Sequence, residues 1–275
     1  MINAMGAIQS RACRTFAAIA VALSCGACAH GSVPTIVAET AKRADATSEY
    51  AILNGKDTLG FELVTTCRKR LISDNDWQHP RAHVHYEADV ANDGAITRFT
   101  AAIWSSGPVA GHEPDQIVIH HTVGDSAFTD VWKGQQSQHQ IAAGAKQSFP
   151  YLINYVGLLV QLTALLGPSG AGRDSARLFY LGTRGVTGTA RVIRRSNDSL
   201  TVRLDERELH AAWSSSSGFG GGHVMGTEVS YQRMTLPDTI FGTKRCEAPP
   251  FLRENPKTGG FILTLLGDDH PDSQS

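Results

Sequence analysis

Short blocks in which apolar and polar residues alternate, each bounded by Gly, Pro, Asn or Asp, recur from about Glu49 onward. A period of two sends successive side chains to opposite faces of an extended chain, so these blocks predict strands with one buried face. Tyr50 to Asn54 and Thr58 to Thr65 pair about the turn at Gly55 to Asp57. His83 to Val90 and Ala95 to Trp104 pair about Asn92-Asp93-Gly94, a strong hairpin signal. Further strands are predicted at Gln116 to His121, Ala127 to Trp132, Ser137 to Ala142, Ala176 to Leu181, Gly188 to Arg194, Ser199 to Leu204, His210 to Ser214 and Glu228 to Met234. One segment breaks the pattern. From Tyr151 to Leu166 the chain is apolar nearly all round, entered at Pro150 and closed by Gly167-Pro168, which predicts a helix too apolar for a surface. Interrupted by Asn154, Gly157 and Gln161, it falls short of the ~20 residues that span a bilayer.

The fold expected is mainly β: a curved antiparallel sheet, half-barrel or open barrel, packed on one apolar helix near residues 151–166. The domain is bounded at about 49–242. Within it the Ser and Gly tract Ser214 to His223 reads as an unstructured surface loop. Residues 243–275, with their Pro and Gly content and acidic end, read as a weakly ordered tail.

The N-terminus has a different pattern. Arg11 and Arg14 precede the short apolar run Phe16 to Leu23 and the small residues Ser24 to Ala29, the anatomy of an export signal over residues 1–29. Two processing routes fit. Cleavage after Ala29, at the A-x-A site Ala27-Cys28-Ala29, releases a protein beginning at His30. Alternatively Cys28, or Cys25, resembles the lipidated cysteine of bacterial lipoproteins, which would anchor the domain to a membrane face. The Ala- and Thr-rich residues 30–48 then form a linker. Both routes imply a bacterial envelope location, in the periplasm or as a lipoprotein anchored at the outer membrane. Of the five cysteines only Cys67 and Cys246 lie in the body of the chain, and an oxidising compartment lets these two pair. The formal charge of -1 provides no basic field for nucleic acid, and there is no Walker loop or dinucleotide fingerprint for a nucleotide.

The residues Tyr50, Gly55, Asp57, Gly60 and Glu62, followed by the hairpin at Asp93-Gly94, the apolar helix and Gly172 to Ser175 leading into strands, resemble a class of uncharacterised exported bacterial β-domains. Those are similar in turn to the half-barrel lipoprotein carriers, in which a curved sheet wraps a helix around an apolar cavity. The resemblance runs from about Tyr50 to Met234. It implies a fold more than a function, and no catalytic residue.

Candidate chemistry is sparse. Eleven histidines are present, and His83 and His85 share one strand face, a spacing that can give two ligands to one metal, with His120 as a third. Gly124-Asp125-Ser126 is similar to the opening of the GDS-type esterases, which would make Ser126 a nucleophile. The matching D-x-x-H, Asp76 to His79, lies upstream instead of near the C-terminus. Glu62, Glu87, Asp89 and Asp205 fall in amphipathic strands and read as solvated-face residues. The leading expectation is a domain that binds an apolar or amphiphilic small molecule or lipid between sheet and helix, using Trp104, Trp132, Tyr151, Tyr155, Leu158, Leu159 and Leu162. No cofactor is expected on that reading. The alternatives are a small envelope hydrolase, using Ser126 or a divalent metal on His83, His85 and His120, and a structural or assembly lipoprotein without a small ligand.

Overall fold

A computed structural model describes residues 46–106, 112–123, 126–133, 136–142, 148–167, 173–181, 187–235, 246, 250–254 and 261–263. The expected export signal, Cys28 and most of the expected linker lie outside these residues. The first arm of the chain is a meander of eight strands: β1 (Ala46–Asn54), β2 (Asp57–Thr66), β3 (Arg70–Gln78), β4 (Arg81–Val90), β5 (Ile96–Trp104), β6 (Gln116–Val123), β7 (Ser126–Lys133) and β8 (Gln136–Ala142). A short β9 (Phe149–Tyr151) leads into α1 (Val156–Leu166). The return arm is β10 (Ser175–Tyr180), β11 (Thr187–Arg194), β12 (Ser199–Leu204), β13 (Arg207–Ser214), β14 (Gly218–Val224) and β15 (Val229–Met234). A final hairpin, β16 (Leu252–Glu254) and β17 (Phe261–Leu263), forms a separate two-stranded sheet.

The two arms join where β1 pairs with β15, Glu49 opposite Met234, giving one sheet of fifteen strands that is not closed, with β8 and β9 at its edges. All pairings along it are antiparallel except β9 with β10. The sheet rolls far enough that Cα atoms of β9 come within 8 Å of β5. Its concave face and α1 share the main core, in which Tyr50, Tyr86, Phe99, Leu158, Leu162, Phe179 and Phe219 are at 0–1% exposure. The expected curved sheet on one apolar helix is therefore the fold observed. The helix is one turn shorter at its start than the apolar run suggests, because Tyr151 ends β9, pairing with Tyr180.

Three segments differ from expectation. β3 carries the polar run Ser73-Asp74-Asn75, which has no strand periodicity, yet all three side chains are at 0–2% exposure because each has polar partners on its own face of the sheet. The glycine tract is a strand, β14, lying between β13 and β15. Bare backbone is needed there: a Cβ on Gly221, whose φ is +121°, would come 2.4 Å from the Tyr231 carbonyl oxygen, and one on Gly222 would come 2.6 Å from that of His210. α1 packs against this strand as well as β2, β3 and β11. The supposed tail is in part fixed. Cys246 is disulfide-bonded to Cys67, with Cα atoms 5.7 Å apart, and Phe251 and Leu252 are at 5% and 3% exposure.

Candidate functional site

On β2 the alternation puts Gly60, Glu62 and Val64 toward the helix, and Glu62 is fully buried. Its Oε1 accepts hydrogen bonds from Ser73 Oγ (2.8 Å), Tyr86 Oη (2.6 Å) and the Gly157 amide (2.8 Å). Oε2 accepts from Asn75 Nδ2 (3.0 Å) and the Val156 amide (2.7 Å). The helix has no cap of its own, since Tyr155 makes no side-chain cap bond and its first turn holds no acid. Glu62 supplies that cap from the sheet, satisfying the first two helical amides and meeting the positive end of the helix dipole. Burial pushes its pKa up, while the bonds from Tyr86, Gly157, Val156 and Ser73 pull the other way. Glu62 is thus a buried anchor and not the solvated residue its amphipathic strand suggested. The close approach depends on Gly157, where a Cβ would lie 2.2 Å from the Tyr86 hydroxyl.

Beside this anchor the core reaches the end of the rolled sheet. Trp77, next to the last residue of β3, meets Tyr155 edge-on with ring centroids 6.2 Å apart, and Tyr155 meets Tyr86 at 5.7 Å. Burial, with the nearby Glu62 charge, raises the Tyr155 hydroxyl above its ordinary value. Leu59 and Leu152 are half-buried against the same core, and Ile153 is 43% exposed.

The opposite, convex face holds a second polar group, built by the pairing of β3 with β4. Asp74 stands opposite His85, and His83, His85 and Glu87 follow one another along the same face of β4. His85 lies between two carboxylates, Nδ1 at 2.9 Å from Asp74 Oδ1 and Nε2 at 3.3 Å from Glu87 Oε1. Arg70 Nη2 reaches Glu87 Oε1 at 2.5 Å, and His83 Nε2 is 3.5 Å from Asp74 Oδ1. Two carboxylates are thereby set against the Arg70 guanidinium, with the His83 and His85 imidazoles beside them. Burial alone would raise the Glu87 pKa, but hydrogen bonds and charge from His85 and Arg70 hold it below the ordinary carboxylate value. Phe251 covers the group: its amide points at both Glu87 oxygens, 3.4 Å from each, and its ring meets that of His85 edge-on at 4.9 Å. Glu87 is a second acid read as solvated that proves buried, whereas Asp89 and Asp205 are exposed as expected.

The expected metal trio is divided by the sheet. His83 and His85 face outward, whereas His120 of β6 faces the concave core, its ring 4.8 Å from that of Phe179 and its Nδ1 2.8 Å from Thr129 Oγ1. Burial first, and then the charge of His121, lower the His120 pKa to about 4, so it is neutral at pH 7. Among the described residues no group of three or more His, Cys, Asp or Glu is arranged to hold a metal ion. The seven expected pocket residues are divided in the same way. Trp104 and Trp132 belong to the convex face with Ala102, Ile119, Phe251 and Leu252. Tyr151, Tyr155, Leu158, Leu159 and Leu162 belong to the concave core. Ser126 opens β7 opposite Val123 at a hairpin, while Asp76 lies near the end of β3 and His79 just after it, and β3 is not a neighbour of β7.

Sequence reasoning passed over Asp74, Ser73, Asn75, Arg70, Phe251 and Gly157. The one available signal was Ser73-Asp74-Asn75 itself, a polar run after Leu71-Ile72 that lacks Gly or Pro to make it a turn. No family model, curated protein or solved structure matches the chain.

Proposed function

We propose that the chain is an exported binding domain of the bacterial cell envelope that takes the apolar part of an amphiphilic ligand at the end of the sheet where α1 begins. The observation that carries this reading is the group of half-buried apolar side chains there, Leu59, Trp77, Leu152 and Tyr155, with Ile153 exposed beside Leu152. Apolar surface left at a rim, with Glu62 and Tyr86 just behind it, suits a ligand that is part apolar and part polar. Along the helix Leu158, Leu159 and Leu162 are at 0–1% exposure, which favours the rim over the seam between sheet and helix as the site. The Cys67–Cys246 disulfide supports an oxidising compartment, in keeping with the export signal in the sequence.

Organic extraction of the purified protein should recover a bound amphiphile, and a fluorescent fatty acid should bind saturably and quench tryptophan emission. Trp77→Ala should weaken that binding at least about tenfold, as expected for a central aromatic contact. No extracted lipid together with no saturable binding overturns the proposal. That result would favour the second reading, a structural or assembly protein of the envelope without a small ligand, which the closed packing of α1 supports. The hydrolase alternative draws no support from Ser126, set in a hairpin away from Asp76 and His79.

A further inference from the structure

We propose that the C-terminal segment through Phe251 and Leu252 is a redox-released latch over the acid and histidine cluster of the convex face. The latch residues contribute nothing to the main core. With Ala102, Trp104 and Ile119 they form a separate one, so this segment can lift without opening the rolled sheet. Among the described residues, what holds it locally is modest: the Phe251 amide on Glu87, its ring on His85, and two buried apolar side chains. The disulfide makes these contacts effective by fixing the segment close to where it docks. Cys67 lies between β2 and β3, its amide donating to the Arg70 carbonyl at 2.7 Å, and Arg70 is the residue whose side chain pairs with Glu87.

The effect of that tether follows from chain length. With the disulfide intact, Phe251 lies five positions beyond the anchor at Cys246. With it reduced, the nearest anchor earlier in the chain among the described residues is Met234 at the end of β15, seventeen positions before Phe251. Effective concentration falls roughly as the −3/2 power of tether length, so reduction should raise the open population about sixfold. The reaction balances with a dithiol as reductant. One thiolate attacks the half-buried Cys246 sulfur, the S–S bond breaks with Cys67 leaving, and the second thiol displaces Cys246 from the mixed disulfide. Two electrons and two protons end on Cys67 and Cys246, and the dithiol leaves as a disulfide. Opening uncovers Asp74, His83, His85 and Glu87 beside Trp104 and Ile119, a surface of acids, imidazoles and aromatic side chains.

The full-length protein is treated with dithiothreitol under native conditions and followed by hydrogen exchange and by diethylpyrocarbonate labelling of histidines. Exchange at residues 250–254 and labelling of His83 and His85 should rise about sixfold, with α1 and β12 to β14 unchanged and protection restored on reoxidation. Unchanged exchange at 250–254 overturns the proposal, and so does acceleration of α1 and β12 to β14 in step with it. A second arm leaves the disulfide intact: Phe251→Ala should raise His85 labelling in the oxidised protein, and unchanged labelling counts equally against the latch.

Discussion

Replacing Gly157 by alanine separates the local preferences of a helix from the demands of its surroundings. Glycine inside a helix costs about 1 kcal/mol relative to alanine, so on helix propensity alone the substitution stabilises by that amount. The tertiary surroundings predict the opposite sign. The new methyl group would lie 2.2 Å from the Tyr86 hydroxyl and 3.2 Å from Glu62 Oε1. Tyr86 cannot give way easily, since it is fully buried with its ring against those of Phe99 and Tyr155. Its hydroxyl must therefore leave Glu62, at a cost of about 1.5–3 kcal/mol for a hydrogen bond to a charged group, with about 1–3 kcal/mol more for overpacking. After the propensity gain, Gly157→Ala should destabilise by about 1.5–5 kcal/mol, lowering Tm by roughly 3–20 °C. Urea unfolding followed by circular dichroism measures the loss, and a cycle with Tyr86→Phe tests its cause. Without the hydroxyl the steric conflict is relieved, so Gly157→Ala should cost less than half as much in the Tyr86→Phe background. A Gly157→Ala protein as stable as wild type, or an equal loss in both backgrounds, would refute the anchoring of α1 by Glu62 and Tyr86.

Three further outcomes follow from the buried charges. Glu62→Gln puts an amide donor among five donors, and unfolding should show a loss of about 3 kcal/mol, the scale of breaking a buried charged pairing. Because Glu87 has its pKa lowered in the folded protein, its contribution is present above the ordinary carboxylate value of 4.5 and is lost as pH falls through the folded value. Wild type should accordingly lose stability more steeply below about pH 4.5 than Glu87→Gln, as read from Tm across a pH series. His120 titrates near 4 in place of 6.5, so the unfolded chain takes up its proton first. Stability should fall by roughly 3 kcal/mol between those values, and His120→Phe should flatten that part of the profile.

The elements readable from the sequence were those whose signal is local. The β4–β5 hairpin follows from alternation on either side of Asp93-Gly94, where Gly94 has φ +85° and Ala95 donates to Asp93 Oδ1. α1 follows from its apolar circumference, and nine of its eleven residues are buried. β3 and β14 were missed for opposite reasons. In β3 three of the five buried residues are polar, and in β14 Phe219 stands among glycines, so hydrophobic periodicity has too little to register in either. The candidate sites were harder still. Glu62 and Glu87 sit in alternating strands that predict exposed acids, and only their partners on β3, β4 and α1 make burial affordable.

What the sequence alone determined was a β-rich chain punctuated by turns, one helix requiring burial, and a pair of cysteines free to bond. The tertiary structure decided which face each polar side chain joined. Ser73 and Asp74 are neighbours in the chain, yet Ser73 donates to the helix anchor on the concave face and Asp74 binds His85 on the convex one. His83 and His85 stay together while His120 is sent to the other side. Alternation fixes only that adjacent residues part. Strand register and the roll of the sheet determine what each one meets, and both depend on pairings between residues far apart in the chain, such as Glu62 with Gly157 and Cys67 with Cys246.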